Sequence, residues 1–415
     1  MLEKLNKKKI KTVRRFIVLA LLAVLMGGIT GIVGTLFKKS ITFVSEFRNQ
    51  NLIIILLLPM AAITICCLYK ICKQEKSHGT NIVLESVRSE DSISGFTAPL
   101  MFISTIISHM FGASVGCEGA ALQIGGGIGE NLARMLKINP KSVQIVTMCG
   151  MSGCFAALFG APVAAAVFVI EVISVGVMYY SALVPCFISS VTAHLIAYHF
   201  GIESEIKKIN LIDNYEVLTL IKVAALACVG ALVSILFCKA LKFTGKLAKK
   251  IENIYLRALI LSSVAVLLIF VFGADKYAGT GMSVINRALS GDVDLFSFAI
   301  KIVITSICIS AGLKGGEIIP SFFIGATFGC MFGSIIGLPP EFAACIGILS
   351  VFCGVTNCPI ATFMLSIELF GAGNAMYFFL AIAISYALSG YYGLYSAQKI
   401  VYSKYLPEFI NIHTK

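Results

Sequence analysis

Apolar stretches follow one another along this chain from end to end, at 16–37, 52–71, 101–111, 218–237, 258–272 and 376–388 among others. The chain is 58% hydrophobic and 13% charged, too little polar surface to cover a soluble core, so its main solvent is lipid. Several stretches fall short of the ~20 residues that a straight helical span needs. Short segments interrupted by glycine point to tilted or broken helices inside a bundle rather than a plain row of spans.

Charge follows the same plan. Residues 1–15 form a Lys/Arg-rich arm, and the long apolar stretch behind it lacks a small-residue cleavage site, so it does not read as a removed signal. The arm reads as a cytoplasmic N-terminus. Lys239, Lys242, Lys246, Lys249 and Lys250 mark a second cytoplasmic loop, and Lys399, Lys404 and Lys415 a cytoplasmic tail. The expected location is the cell membrane, multi-pass, with both termini in the cytoplasm. The net charge of +12 borders membrane segments and builds no basic face on a soluble domain, which excludes a nucleic-acid partner. The 14 cysteines lie mostly inside apolar stretches and read as small packing residues, with no metal or disulfide spacing.

The chain contains its own repeat. CGMSGCFAALFGAPVAAAVFVIEV, starting at Cys149, matches CGVTNCPIATFMLSIEL, starting at Cys353. In each, a proline (Pro162, Pro359) opens an apolar helix and a glutamate (Glu171, Glu368) falls nine residues later. Upstream, GCEGAALQIGGGIG from Gly116 matches GGEIIPSFFIGATFG from Gly315. Glu118 and Glu317 are 199 residues apart, Pro162 and Pro359 197 apart, so two motifs share nearly one offset. The expected organisation is a basic arm at 1–15, a first membrane half at 16–200, a polar connector at 201–215, a second half at 216–390, and a segment at 391–415 that begins a last helix and ends as a tail. Such halves are usually inverted, with the substrate between them.

Three Gly-flanked segments each lead into a prospective helix N-terminus: 78–81, 116–119 and 315–320. A helix start offers unpaired N–H groups and the positive end of the dipole, and glycine lets the backbone approach an ion. Glu118 is the sharpest candidate. A carboxylate among glycines within the membrane is costly, and at a helix start it could itself occupy an anion site and then leave; the alternative is a helix cap. Glu171 and Glu368, near the ends of apolar helices, fit a structural role better, with ion coupling as the other reading. Glu317 lies between these cases as a brace of its loop. The GxxxG spacings at Gly125/Gly129 and Gly325/Gly329/Gly333 suit close helix packing. His78 and His109 read as local hydrogen-bonding groups, and no metal or other cofactor is expected. Neither HExxH nor a Walker A sequence occurs, which removes support for a metalloprotease or an ATP-driven pump. The stretch 112–116 matches G-x-S-x-G, leaving an intramembrane serine hydrolase at Ser114 as a remote alternative. A cation-coupled solute symporter is the nearer one.

From about Arg15 to Lys404 the chain resembles the CLC family of halide channels and halide/proton antiporters. The family's gating motif (glycine, a basic residue, glutamate, glycine) is similar to Gly116-Cys117-Glu118-Gly119. Its second anion loop, G-x-F-x-P, resembles Gly316-Glu317-Ile318-Ile319-Pro320. Its ion-coordinating tyrosine resembles Tyr395 in GLYSAQK, and its first anion loop falls at Gly79-Thr80-Asn81-Ile82. The resemblance implies an all-α fold of tilted and re-entrant helices in two inverted repeats, and a homodimer with one pore per subunit. It implies chloride or fluoride and protons as partners, with Glu118 as the gate. Thr80, Asn81, Ile318, Ile319 and Tyr395 would contact the anion, with Gly79, Gly116 and Gly119 in the loops that hold it. It implies a transporter or channel, not an enzyme.

The chain also departs from the family pattern. Cys117 replaces the basic residue, Thr80-Asn81 replaces a serine-containing loop, and Val172 stands where chloride/proton exchangers carry an internal proton glutamate. The asparagine in the first loop, the missing internal glutamate and the IELFG segment at 367–371 resemble the family's fluoride/proton exchangers. Chloride channels of the family also lack that glutamate.

Overall fold

The computed structural model describes residues 2–75, 79–89, 92–203, 206 and 216–415, with side chains from residue 13 onward. His78 and most of the connector at 201–215 lie outside the described residues, as do the side chains of the basic arm up to residue 12. The first half comprises α1 (Leu2–Gln50), α2 (Leu58–Ile71), α3 (Asn81–Ser89), α4 (Thr97–Met110), α5 (Glu118–Met135), α6 (Pro140–Phe159), α7 (Pro162–Val172) and α8 (Leu183–His199). The second comprises α9 (Val217–Ala248), α10 (Ile254–Phe272), the short α11 (Ala274–Tyr277) and α12 (Met282–Ala288), then α13 (Ser297–Ser310), α14 (Ile318–Ile336), α15 (Pro340–Thr356), α16 (Pro359–Phe370) and α17 (Ala375–Leu388). Among the described residues seven helices are long and apolar enough to cross a membrane.

The halves repeat in local chemistry as well as in order. Pro140, Pro162, Pro340 and Pro359 each open a helix, where the missing N–H costs nothing and the fixed φ favours the first turn. The helices before Pro162 and Pro359 end alike, on left-handed Gly160 and Asn357. Packing repeats too: α6 lies against α1 and α8 as α15 lies against α9 and α17. The centre is formed by α5 on α6 and α14 on α15. There Gly125 meets Gly150 and Gly325 meets Gly347, each so closely that a Cβ would overlap the facing carbonyl oxygen. The GxxxG spacings thus act as expected, bringing backbones together where apolar burial alone gives no drive.

The inversion is visible in α7 and α16. The Glu171 carboxylate, near the end of α7, accepts from the N–H groups of Ile360 (3.1 Å) and Ala361 (2.8 Å) at the start of α16. The Glu368 carboxylate, near the end of α16, accepts from Val163 (2.9 Å) and Ala164 (2.8 Å) at the start of α7. The two helices are therefore antiparallel and exchange caps about a local two-fold.

The segment after α17 corrects one expectation. Tyr395 does not begin a helix; it lies in a turn, followed by strands β2 (Lys399–Tyr402) and β3 (Phe409–His413) in an antiparallel pair. β2 also pairs, in parallel, with β1 (Ser174–Val175), giving the otherwise helical molecule one small sheet. Gly390 and Gly393 interrupt the helical pattern, and the β-branched and aromatic residues of 399–402 and 409–412 favour strands. Lys404 is no free tail charge: its Nζ donates to Asn357 Oδ1, to the Tyr386 carbonyl (2.9 Å) and to Ser389 Oγ (3.0 Å).

Candidate functional site

The three Gly-flanked segments do lead into helix N-termini: Gly79-Thr80 into α3, Gly116-Cys117 into α5, Gly316-Glu317 into α14. Gly79 supplies a left-handed φ of 62° in the turn before α3, which a side chain would strain. The second and third loops are joined directly. Gly116 N–H donates to the Gly316 carbonyl and Gly316 N–H to the Gly116 carbonyl, both at 2.7 Å. This bridge sets the N-terminal ends of α5 and α14 side by side.

The Glu118 carboxylate lies across that junction. Its Oε2 accepts from Ile319 N–H in the first turn of α14 (3.3 Å), and its Oε1 from the Cys117 thiol (3.1 Å). A carboxylate oxygen thus sits on the backbone donor of a buried helix start, where a small anion would otherwise be stabilised. Gly116 permits this, because a Cβ there would overlap Glu118 Oε2.

The first loop closes the other side. Thr80 Oγ1 donates to the Gly119 carbonyl (3.4 Å), and Gln123 Nε2 donates to both Thr80 Oγ1 (3.3 Å) and Gly119 O (3.1 Å). Glu317 stands immediately before α14 without capping it through its side chain, and turns its carboxylate toward Gly119, with Oε2 3.7 Å from where a Cβ of that glycine would lie. Ile318 and Ile319 are buried. Tyr395 is buried within electrostatic reach of Glu317 and Glu118, and its hydroxyl has no hydrogen-bond partner. An unpartnered buried O–H is costly, and an acceptor brought to it would relieve that cost.

Asn81 also ties two parts of the chain together. Its Oδ1 accepts from Ala397 N–H (2.9 Å), so the side chain ties the start of α3 to the turn that carries Tyr395. The same turn is held by Thr414 Oγ1 on the Tyr395 carbonyl (2.6 Å) and by Gln398, whose Nε2 donates to the carbonyls of Val172 (2.9 Å) and Thr356 (2.8 Å). The structure therefore gathers Gly79, Thr80, Asn81, Gly116, Glu118, Gly119, Glu317, Ile318, Ile319 and Tyr395 around one centre. Glu171 and Glu368 are not part of it; their carboxylates are engaged in the exchanged caps. Ser114 Oγ shares a hydrogen bond with Thr305 Oγ1 (3.0 Å) and follows a helix rather than a strand, so it is not a nucleophile elbow.

A cavity of about 180 Å³ reaches Glu118 and Ile319 from the end of the molecule bearing Asp275 and Ser283. Lys38 and Arg48, both on α1, line it. Arg48 is anchored by its Nη1 on the His109 carbonyl (2.8 Å), and His109 Nε2 lies 3.4 Å from Gly116 O. The positive charge that Cys117 does not provide is thus supplied from another helix. Sequence reading missed these two cations, although Lys38 and Arg48 stand out at the end of the long first apolar stretch.

Residues 60–390 match the family model described as voltage gated chloride channel. A chloride/fluoride channel protein of Pseudomonas syringae pv. tomato is 31% identical over 402 residues, covering 94% of this chain and 89% of its own. The H(+)/Cl(−) exchange transporter ClcA of Citrobacter koseri is 25% identical over 338 residues, 75% of this chain and 71% of its own. Among solved structures, a CLC-type fluoride/proton antiporter superposes with a TM-score of 0.89 at 28% identity, covering 92% of this chain and 98% of that one. A slow cyanobacterial Cl−/H+ antiporter superposes at 0.80 with 17% identity over 89% and 94%, a likeness of fold alone.

Proposed function

Because this chain belongs to the voltage gated chloride channel (CLC) family, we propose that it carries halide across the cell membrane as a fluoride/proton exchanger gated by Glu118. The class, a CLC-type halide channel or halide/proton antiporter, follows from the family. The observation that carries the finer reading is the Glu118 carboxylate seated on the Ile319 N–H, within electrostatic reach of a buried Tyr395 hydroxyl that is unpartnered among the described residues. A carboxylate held there excludes an anion. Protonation removes its charge and weakens its hold on the helix N-terminus, so a halide can take the backbone donor and the hydroxyl while the proton travels on Glu118. Fluoride, the most strongly hydrated halide, needs close donors to replace its water, and the Ile319 N–H and the Tyr395 hydroxyl are two that it could take. The full-length likeness to a relative named for chloride and fluoride, and to a fluoride/proton antiporter, supports that choice.

Val172 favours a second reading, a chloride channel without proton coupling. By family resemblance the protein is a homodimer, with both termini in the cytoplasm. Efflux of fluoride and chloride from liposomes holding the purified protein, with external pH recorded, separates the readings. Fluoride efflux with opposing proton movement supports the exchanger, and chloride efflux without proton movement the channel. Efflux of neither halide rejects both.

A further inference from the structure

A second cavity, of about 330 Å³, lies at the opposite end of the molecule from the vestibule above Glu118. It is bounded by the last turns of α2, the start of α10 and the link between α13 and α14. α10 begins at this cavity and ends just before Asp275 of the other, so the two lie at its opposite ends; since α10 follows α9 after a short loop, this end also carries Lys246, Lys249 and Lys250, the side read as cytoplasmic. None of the residues around Glu118 lines it.

Its chemistry is cationic and aromatic. Lys314 Nζ stands 4.2 Å from the centroid of the Tyr69 ring, and Lys70 Nζ 5.5 Å from that of Tyr255. Arg257 also lines the cavity, and its Nε is buried with no hydrogen-bond partner. Two carboxylates share the lining, Glu75 and Glu252, but both are exposed. Among the described residues neither forms an ion pair with Lys70, Arg257 or Lys314. Lys314 and Arg257 therefore repel one another across a shared cavity with no ion pair among the described residues, at a cost that a bound anion would relieve. The N-terminal donors of α10 do not meet this need, since Asn253 Oδ1 already takes those of Tyr255 and Leu256.

We propose that this cavity binds a phosphate group, held by Arg257 and Lys314, and that its occupant is the headgroup of an anionic lipid. A guanidinium fork matches paired phosphate oxygens, whereas a halide offers it one point. Beside the opening, α10 exposes Ile254, Leu256, Leu259 and Ile260, an apolar surface for acyl chains below a basic, tyrosine-lined headgroup pocket. Lys314 directly precedes Gly315-Gly316, so the occupant bears on the loop bridged to Gly116.

The test uses the full chain. Phosphatidylglycerol retained from mixed phosphatidylcholine micelles is counted by native mass spectrometry for wild type, Arg257→Gln, Lys314→Gln and the double variant. Loss of two charge-assisted contacts should reduce retention by about tenfold or more in the double variant. Flux of Arg257→Gln in vesicles of phosphatidylcholine alone should equal that of wild type. If Lys314→Gln fails to fold, Arg257→Gln and Lys70→Gln carry the comparison. In a second arm, inorganic phosphate is titrated by calorimetry into lipid-depleted protein. Saturable binding lost in Arg257→Gln, with no selective lipid retention, supports the phosphate site but gives it a soluble occupant. Equal lipid retention by all variants together with no phosphate binding overturns the proposal.

Discussion

Gly116 and Gly316 exchange both of their backbone hydrogen bonds at 2.7 Å, a two-residue antiparallel bridge between loops from opposite halves of the chain. No side chain takes part, so the loops come as close as backbone permits, and the helix starts they lead into converge from two directions. The space beside Gly316 is already filled: a Cβ there would lie 2.5 Å from Gly119 N and 3.1 Å from its Cα, both backbone atoms. Gly316→Ala should therefore part the loops, destabilising the protein by about 1–3 kcal/mol and abolishing halide flux. Thermal unfolding in detergent and liposome efflux report the two effects.

Glu118 sits over this bridge and is proposed to alternate with the anion. Glu118→Gln keeps the shape of the side chain but carries neither a charge nor an exchangeable acid proton. Proton movement coupled to fluoride should fall to background, while passive anion flux persists. Proton coupling equal to that of wild type would remove Glu118 from the mechanism.

Tyr395 offers a cleaner probe of the anion itself, because its hydroxyl has no hydrogen-bond partner among the described residues. Tyr395→Phe leaves packing intact and should leave the melting temperature unchanged. Halide affinity should drop by about 1 kcal/mol, or roughly five- to tenfold, read by calorimetric titration. A lower melting temperature with unaltered affinity would reveal a structural hydroxyl instead.

Much of this site was legible because it is written twice. The offset shared by Glu118 with Glu317 and by Pro162 with Pro359 marks the loops and helix starts without any spatial information. Local chemistry then places the helices: proline at the first turn, glycine before it, and glycine pairs where helices cross. What stayed hidden depends on contacts between distant parts of the chain. The bond from Ala397 to Asn81 Oδ1 joins a tail turn to the first loop, and no spacing in the sequence announces it. Tyr395 was found by its motif but placed at a helix start, since the GLYSAQK segment carries no sign that Gln398 and Thr414, at the two ends of a β-hairpin, hold its turn. Lys38 and Arg48 were passed over because they reach the cavity over Glu118 through space, from another helix.

Outside the membrane segments, Lys276 Nζ of α11 and Asp294 Oδ2 of the loop before α13 pair at 2.8 Å. Lys276 holds the Asp294 carboxyl below its usual range, and Asp294 raises the Lys276 ammonium above its own. The carboxylate's contribution is present above the unfolded value of about 3.9 and fades as pH falls through the lower folded one. The ammonium's is present below about 10.4 and fades as pH rises through the higher folded one. Both side chains are partly exposed, 32% and 44%, so solvent screens the pair. Asp294→Asn should cost about 0.5 kcal/mol or less at pH 7. The difference in melting temperature from wild type should narrow toward either extreme of pH, and a constant difference would assign the loss to packing.

Glu171 and Glu368 decide whether the second pair of repeat glutamates carries protons or holds the fold. Each carboxylate accepts two backbone N–H groups in the first turn of the other's helix, where a proline has already removed one donor. Four donors at two half-buried helix ends are thus met by two side chains, and each negative charge faces the positive end of a dipole. Glu171→Gln and Glu368→Gln should each lose about 1–2 kcal/mol of stability, and by similar amounts, because the two sites share one geometry. Their removal together should not add simply, since both act on the same pair of helices. Proton-to-halide stoichiometry, measured from parallel pH and halide electrodes, should stay at the wild-type value in each single variant. A change of stoichiometry in Glu171→Gln without loss of stability would move that residue from the frame into the proton path, beside Val172, where the family's chloride exchangers hold their internal acid.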